Sequence, residues 1–149
     1  MICTSRLSVI IGGQKILKEV SFDVHHGELA CVIGPNGAGK STLIRAMSGD
    51  LKPCEGEVML AGDPIQRLAL GHLARRRAVV TQDTSVPFSF RAAEVIALGL
   101  TPWSLSHSEA EDIISLVSDL TDVRHLLDRD IQTLSGGERQ RVQLARALA

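Results

Sequence analysis

Apolar and polar residues alternate at Val20, Phe22 and Val24, a period of two that predicts a strand with one buried face. From about Ile2 to Val24 the chain reads as two or three strands around Gly12-Gly13, a dipeptide suited to a tight hairpin turn. Glu28-Leu29-Ala30-Cys31-Val32-Ile33 is apolar on both faces, which predicts a strand buried in a parallel sheet, with Cys31 as a small core residue. Leu43, Ile44, Met47 and Ser48 then keep a helical spacing up to Gly49, a suitable C-cap. A short strand follows near Glu57–Leu60, with its turn at Ala61-Gly62-Asp63.

From Pro87 the period changes. Ala92, Val95, Ile96 and Leu100 form one helical face before Thr101-Pro102. Ser106 and Glu109 fit a capping box ahead of Ile113, Leu116, Val117 and Leu120, spaced i, i+3, i+4, i+7. Val142, Ala145, Leu148 and Ala149 stripe a last helix. The pattern therefore predicts one domain over residues 1–149, made of an α/β part over 1–86 and a helical part over 87–149.

Between the buried-strand pattern and the first helix stands Gly34-Pro35-Asn36-Gly37-Ala38-Gly39-Lys40-Ser41-Thr42, which fills every fixed position of G-x-x-x-x-G-K-[ST]. Phosphate oxygens need backbone N–H donors pointing inward, and glycines let a loop curl around them without Cβ clashes. Lys40 supplies a point charge between phosphates, and the Ser41 hydroxyl suits a Mg²⁺ shell. The helix that begins near Gly39 adds its positive dipole end. A ligand-free glycine turn between strand and helix would explain the glycines but not Lys40 and Ser41 together.

A second motif opens the last helix: Leu134-Ser135-Gly136-Gly137-Glu138, followed by Arg139, Gln140 and Arg141. Ser135 and Glu138 fit a capping box. Gly136 and Gly137 are poor helix formers, so a first turn built on them needs a reason. Close approach of an anion to bare amides is one reason, and an ordinary capped amphipathic helix is the alternative.

With both motifs in this order, the chain resembles the nucleotide-binding subunits of ATP-binding cassette (ABC) transporters over its whole length, from about Ile2 to Ala149. Leu134–Glu138 stands where that family has LSGGQ, and Val79-Val80-Thr81-Gln82 resembles the strand and glutamine of its Q-loop. The resemblance implies a P-loop NTPase core of α/β class, with an antiparallel β region and a helical subdomain. It implies ATP and Mg²⁺ as ligands, the phosphates on Gly34–Thr42 and the metal near Ser41 and Gln82. It also implies a head-to-tail dimer of two copies, in which Leu134, Ser135, Gly136, Gly137 and Glu138 act in trans. Permease subunits would be direct partners, a periplasmic or surface substrate-binding protein an indirect one, and the location the cytoplasmic face of the membrane.

Gln82–Phe90, Ala93–Gly99 and the pair Pro102-Trp103 narrow the resemblance to importers of iron–siderophore, hemin and vitamin B12, most of all the hemin type. Two departures stand out. The adenine-stacking aromatic of the family would fall near Ile11, so an apolar base contact is expected. The family's Mg²⁺-binding Asp, water-polarising Glu and switch His would lie beyond Ala149. The chain is thus expected to be incomplete at its C-terminus, to bind ATP weakly, not to hydrolyse it and to fold marginally alone. Two alternatives remain open: a non-transport ABC ATPase of translation or DNA maintenance, and an inert fragment. Sustained heptads between the motifs, expected of a DNA-maintenance ATPase, do not occur.

Composition adds exclusions. A net charge of −1 gives no electrostatic basis for nucleic-acid or anionic-lipid binding. Arg75-Arg76-Arg77 reads as a solvated helix end. No run approaches the ~18 apolar residues of a membrane span. Three cysteines and five histidines lack disulfide or zinc spacing, and His25-His26 reads as a turn.

Overall fold

The computed structural model describes residues 1–81 and 89–149. They form two compact units, Met1–Leu73 and Ala74–Ala149.

The first unit is built on an antiparallel sheet. Strand β1 (Ile2–Ile11) and strand β2 (Gln14–Val24) pair from Ile2 opposite Val24 to Ile11 opposite Gln14. Gly12 and Gly13 join them with φ of 57° and 80°, the left-handed pair that a two-residue I′ hairpin turn requires. Strand β3 (Glu55–Leu60) lies on the other side of β1, and the two-residue β4 (Asp63–Pro64) completes the order β2-β1-β3-β4. Arg6 and Glu19 interrupt the ladder with positive φ of 45° and 48°, at non-glycine positions that no turn signal marked. Past the Arg6 irregularity Leu7 and Val9 face the core. Val20, Phe22 and Val24 are half-buried while Ser21 and Asp23 are exposed, as the alternation predicts.

Helix α1 (Lys40–Met47) packs Leu43 and Ala46 against Leu7, Val9, Leu17 and Val58. Its amide ladder ends at Ser48, followed by Gly49 with φ 83°, the left-handed C′ residue that the sequence signals. A single 3₁₀ turn (Ile65–Arg67) and the short helix α2 (Leu70–Ala74) bring Ile65 and Leu73 to the same core.

Residues 28–33 are not a strand, contrary to the expectation of a buried parallel one. Leu29 is 99% exposed and Ile33 88%, and Cys31 is exposed rather than a core residue. An apolar run gains strand geometry from a ladder partner on its edge, and among the described residues none runs beside it. The strand expected at Val79–Gln82 is likewise absent over 79–81, and Gln82 lies outside the described residues. The units also part at Leu73/Ala74, at the end of α2, rather than at residue 86, where only the change of period had suggested a border.

The second unit is helical. Helix α3 (Ala92–Ala97) continues as one 3₁₀ turn (Leu98–Leu100), and the expected face of Ala92, Val95, Ile96 and Leu100 is buried. Helix α4 (His107–Leu120) starts on the predicted box, Glu109 N–H donating to Ser106 Oγ and Ser106 N–H to Glu109 Oε2. Its inward face is rotated from the expected one. Ile113, Ile114, Val117 and Ser118 point in, while Leu116 (60% exposed) and Leu120 (69%) point out. Two stripes a residue apart satisfied the same spacing, and packing selects the one that brings Thr121 inside, where its hydroxyl donates to Val117 O at 2.8 Å. Single turns at Arg124–Leu126 and Ile131–Thr133 lead to helix α5 (Gly136–Leu148), whose Val142 and Ala145 close a core with Ile96, Val123, Leu126, Ile131 and Leu134. Leu148, placed in the buried stripe by sequence, is exposed.

Candidate functional site

The phosphate-loop motif occupies the corner between residues 28–33 and α1. Gly34–Ala38 form an exposed loop, and Ala38 N–H closes a turn on Pro35 O at 3.3 Å. Gly37 and Gly39 have φ of 80° and 90°, a backbone that L-residues adopt only at a strain. Gly39 carries a second constraint. A Cβ on it would lie 2.9 Å from Leu17 Cδ2 and 3.3 Å from Ile16 Cγ2, so the loop is pressed against β2 and an added side chain would have to displace the Leu17 tip. This contact fixes where α1 begins, and Leu43 N–H takes Gly39 O at 2.8 Å as the first bond of the helix.

Lys40 opens α1, and its Nζ donates to Gly34 O and Pro35 O, both at 2.8 Å. The ammonium is therefore folded back over the mouth of its own loop. Ser41 and Thr42 stand in the first turn, the Ser41 side exposed. No acidic residue lies in that turn, so the unbonded amides at the start of α1 face no carboxylate of their own helix. The whole arrangement (curled glycines, a cation over the loop, helix-start amides and a hydroxyl) is suited to a polyphosphate with a divalent ion.

The second motif lies in the helical unit. Leu134 is buried and belongs to the core. Ser135 is the N-cap of α5: Glu138 N–H donates to Ser135 Oγ at 3.3 Å, and Ser135 N–H donates to Glu138 Oε2 at 2.7 Å. The Ser135 hydroxyl and amide hold the Glu138 carboxyl below the ordinary glutamate range, and Arg129, 3.9 Å away, adds to this. Gly136 and Gly137 are exposed, and a Cβ on either would meet nothing within 4 Å. Neither has the left-handed φ that calls for glycine. Among the described residues, nothing in the packing explains two glycines in this turn.

The site residues thus fall into two groups. Gly34 through Thr42 are together in the first unit, and Leu134 through Glu138 are together in the second. Gln82, expected near Mg²⁺, is outside the described residues. Ile11, the expected base contact, is partly exposed at the hairpin end of β1.

The family model described as ABC transporter matches residues 17–149. The chain belongs to the ABC transporter family. Among curated proteins it is 43% identical to the hemin import ATP-binding protein HmuV of Hahella chejuensis, over 99% of this chain and 57% of that protein. Identity is 45% with the HmuV of Nocardia farcinica, over 91% and 48% of the two chains. The cobalamin import ATP-binding protein BtuD of Halobacterium salinarum is 43% identical, over 96% and 36%. The chain therefore spans about half the length of the curated relatives it matches. Among solved structures, cbiO1 of Clostridium perfringens, part of the ABC transporter complex cbiONQ, superposes with a TM-score of 0.84 at 27% identity, covering 99% of this chain and 60% of that one. An ATP-binding cassette of another ABC transporter gives 0.82, also at 27%, covering 99% and 64%. The fold is the α/β P-loop ATPase fold of that family, with its antiparallel sheet and helical unit.

Two features of the family member were missed by sequence reasoning. Gly99, between α3 and α4, is needed for packing, since its Cβ would lie 2.1 Å from Arg146 O. Asp130 accepts hydrogen bonds from Ser89 Oγ and, at 2.8 Å, from Gln132 N–H. The Asp-x-x-Thr pattern at Asp130–Thr133 was the available signal for the latter, being a common way to start a short turn.

Proposed function

We propose that the chain is the ATP-binding part of an import ATPase that energises a membrane permease, of the hemin or cobalamin kind. The observation that carries this is the phosphate loop, with Gly39 wedged against Leu17 and Lys40 folded over the loop mouth. ATP is the substrate: its β- and γ-phosphates take the amides of Gly37, Gly39 and Lys40, and the Lys40 ammonium leaves its two carbonyls for phosphate oxygens. Mg²⁺ would be held by the Ser41 hydroxyl with Gln82 as the further ligand, and would supply positive charge to offset that of the phosphates.

The unexplained glycines give the second half of the reading. Gly136 and Gly137 cost helix stability and, among the described residues, serve no internal contact, which supports their use as a bare surface for something outside the chain. A second copy, head to tail, would set its bound ATP against Ser135 Oγ and these amides, with Leu134 holding the turn to the core and Glu138 holding the cap. The permease and, through it, a substrate-binding protein complete the assembly at the cytoplasmic face of the membrane. Among the described residues no helix is long and apolar enough to cross a membrane.

Hemin is favoured over cobalamin by the Gln82–Phe90 and Pro102-Trp103 stretches, since identity to hemin import proteins (40–46%) and to the cobalamin import protein (43%) overlaps. For these 149 residues the reading is weak nucleotide binding without turnover. Hydrolysis needs an in-line water held by a base, and neither the loop nor the first turn of α1 offers a carboxylate. Calorimetric titration of the chain with ATP, ADP and AMP, each with Mg²⁺, tests the function. The loop reads the phosphate chain, so ATP and ADP should bind and AMP should not. Equal affinity for all three, or for none, would remove the loop as the binding site.

A further inference from the structure

The lead into the second motif is tied to a distant part of the chain by one side chain. Asp130 caps the single turn Ile131–Thr133 by accepting from Gln132 N–H at 2.8 Å. The same carboxylate accepts from Ser89 Oγ, a residue 41 positions earlier. Backbone bonds run parallel to this link: Ile131 N–H donates to Phe90 O at 2.8 Å, and Ala92 N–H to Arg129 O at 2.9 Å. Arg91 and Asp130 thus form a lone antiparallel bridge with no sheet around it. Ala93 N–H adds a bond to Leu127 O at 3.0 Å, but no ladder continues the bridge, and the Asp130 side-chain bonds are what tie Ser89 and the bridge to the Ile131–Thr133 turn.

Downstream, the capped turn delivers Leu134 to the core and Ser135 to the N-cap of α5. Thr133 Oγ1 and Thr133 N–H both donate to Asp130 O, at 2.8 and 3.0 Å, so the turn has little freedom between Asp130 and Ser135. The bond from Ser89 followed by that from Gln132 N–H keeps the Asp130 carboxyl below the ordinary aspartate range, so it stays an acceptor at neutral pH.

We propose that Asp130 is a positioning residue for the second motif: by clamping Ser89 to the Ile131–Thr133 turn it fixes the direction in which Ser135, Gly136 and Gly137 present their donors. The motif's use of those donors on a nucleotide rests on the function proposed above. Asp130 itself touches no nucleotide. The clamp joins Ser89 to the lead into the motif helix, so a displacement of Ser89 or of the Ile131–Thr133 turn is passed to the other.

The test compares Asp130→Ala, Asp130→Asn and Ser89→Ala in the full chain by amide hydrogen exchange without nucleotide. In Asp130→Asn, Oδ1 still accepts from Gln132 N–H, and Nδ2 stands where the other oxygen stood and donates to Ser89 Oγ, so both links persist with the second reversed and the variant should behave as the wild type. In Asp130→Ala, the amides of Ile131, Ala92 and Glu138 should exchange roughly fivefold faster or more, the loss expected for a removed cap. Thr121 and Val123, bonded within and just after α4, should not change. Ser89→Ala should reproduce the effect at Ile131 and Ala92. Uniform acceleration across the unit, or no acceleration in Asp130→Ala, would overturn the clamp. A second arm measures ATP-driven association: Asp130→Asn should associate as the wild type does, and Asp130→Ala should bind ATP equally but not associate. Retained association in Asp130→Ala would overturn the positioning role. A wild type that binds no ATP would overturn the function on which that role rests, and the exchange comparison would still decide the clamp.

Discussion

Gly99→Ala should destabilise the helical unit by backbone collision. A Cβ at this position would lie 2.1 Å from the carbonyl oxygen of Arg146, 3.1 Å from its carbon and 3.2 Å from the Cβ of Ala149. The obstructing group is the last turn of α5, anchored by the buried Val142 and Ala145, and cannot swing aside as a side-chain tip would. Carbon and oxygen need about 3.3 Å, so α3 and α5 must part by roughly 1 Å or the last turn must unwind. Overpacking a core costs about 1–3 kcal/mol, and a backbone obstacle places this case near the top of that range. With a urea slope of about 1–2 kcal/mol/M, the midpoint should fall by roughly 1.5–3 M. Trp103, the single tryptophan, lies just past this turn with Arg75 stacked 5.2 Å from its ring centre, so its fluorescence reports the event. Gly137→Ala is the matched control. Its Cβ enters open space and alanine is the better helix former, so the midpoint should hold or rise, by up to about 1 kcal/mol in stability. An unchanged midpoint in Gly99→Ala, or the same fall in both variants, would refute the packing argument.

Three further outcomes follow from the same geometry. Gly39→Ala should abolish nucleotide binding, because alanine meets both φ 90° and Leu17; a variant that binds normally in calorimetry would show the loop to be tolerant. Gly137→Leu should leave ATP binding by the single chain intact and eliminate ATP-driven association in analytical ultracentrifugation, whereas equal loss of both would make the motif a structural cap only. The Glu109, Asp130 and Glu138 carboxyls are all held below their ordinary range, first by Ser106, Ser89 and Ser135 respectively. Their folded pKa values are depressed, so the stability they add is present above the unfolded carboxylate range, about pH 4, and is lost as pH falls through the folded values. Thermal melts of Glu138→Gln, which keeps the box but cannot titrate, should depend less on pH in that acid window, and an unchanged pH profile would contradict the assignment.

Much of the fold was legible because its signals are local. Gly12-Gly13 fixes a hairpin by the φ values only glycine takes easily, and the boxes at Ser106/Glu109 and Ser135/Glu138 start their helices where the side chains can reach the orphan amides. The glycine-rich turn that leads into α1 was legible for the same reason, its residues lying in one stretch from Gly34 to Lys40. Residues 28–33 were misread because apolar character reports a wish for burial, while a strand exists only beside another strand. The face of α4 was misread by one residue because Leu116 and Leu120 fit the spacing as well as Ile114 and Ser118 do. Gly99 and Asp130 escaped notice for a related reason: each owes its role to a partner far away in sequence, Arg146 and Ser89.

The central claim is that Lys40 and the glycine loop hold the phosphates of ATP. Calorimetric titration of the chain with ATP·Mg²⁺, wild type against Lys40→Ala, tests it most directly. Among the described residues the Lys40 ammonium bonds two exposed carbonyls of its own loop, so the variant should melt as the wild type does. Losing a charge-assisted contact of about 1.5–3 kcal/mol should weaken binding by roughly ten- to a hundredfold. Unchanged affinity in a variant with an unchanged melt would contradict the account.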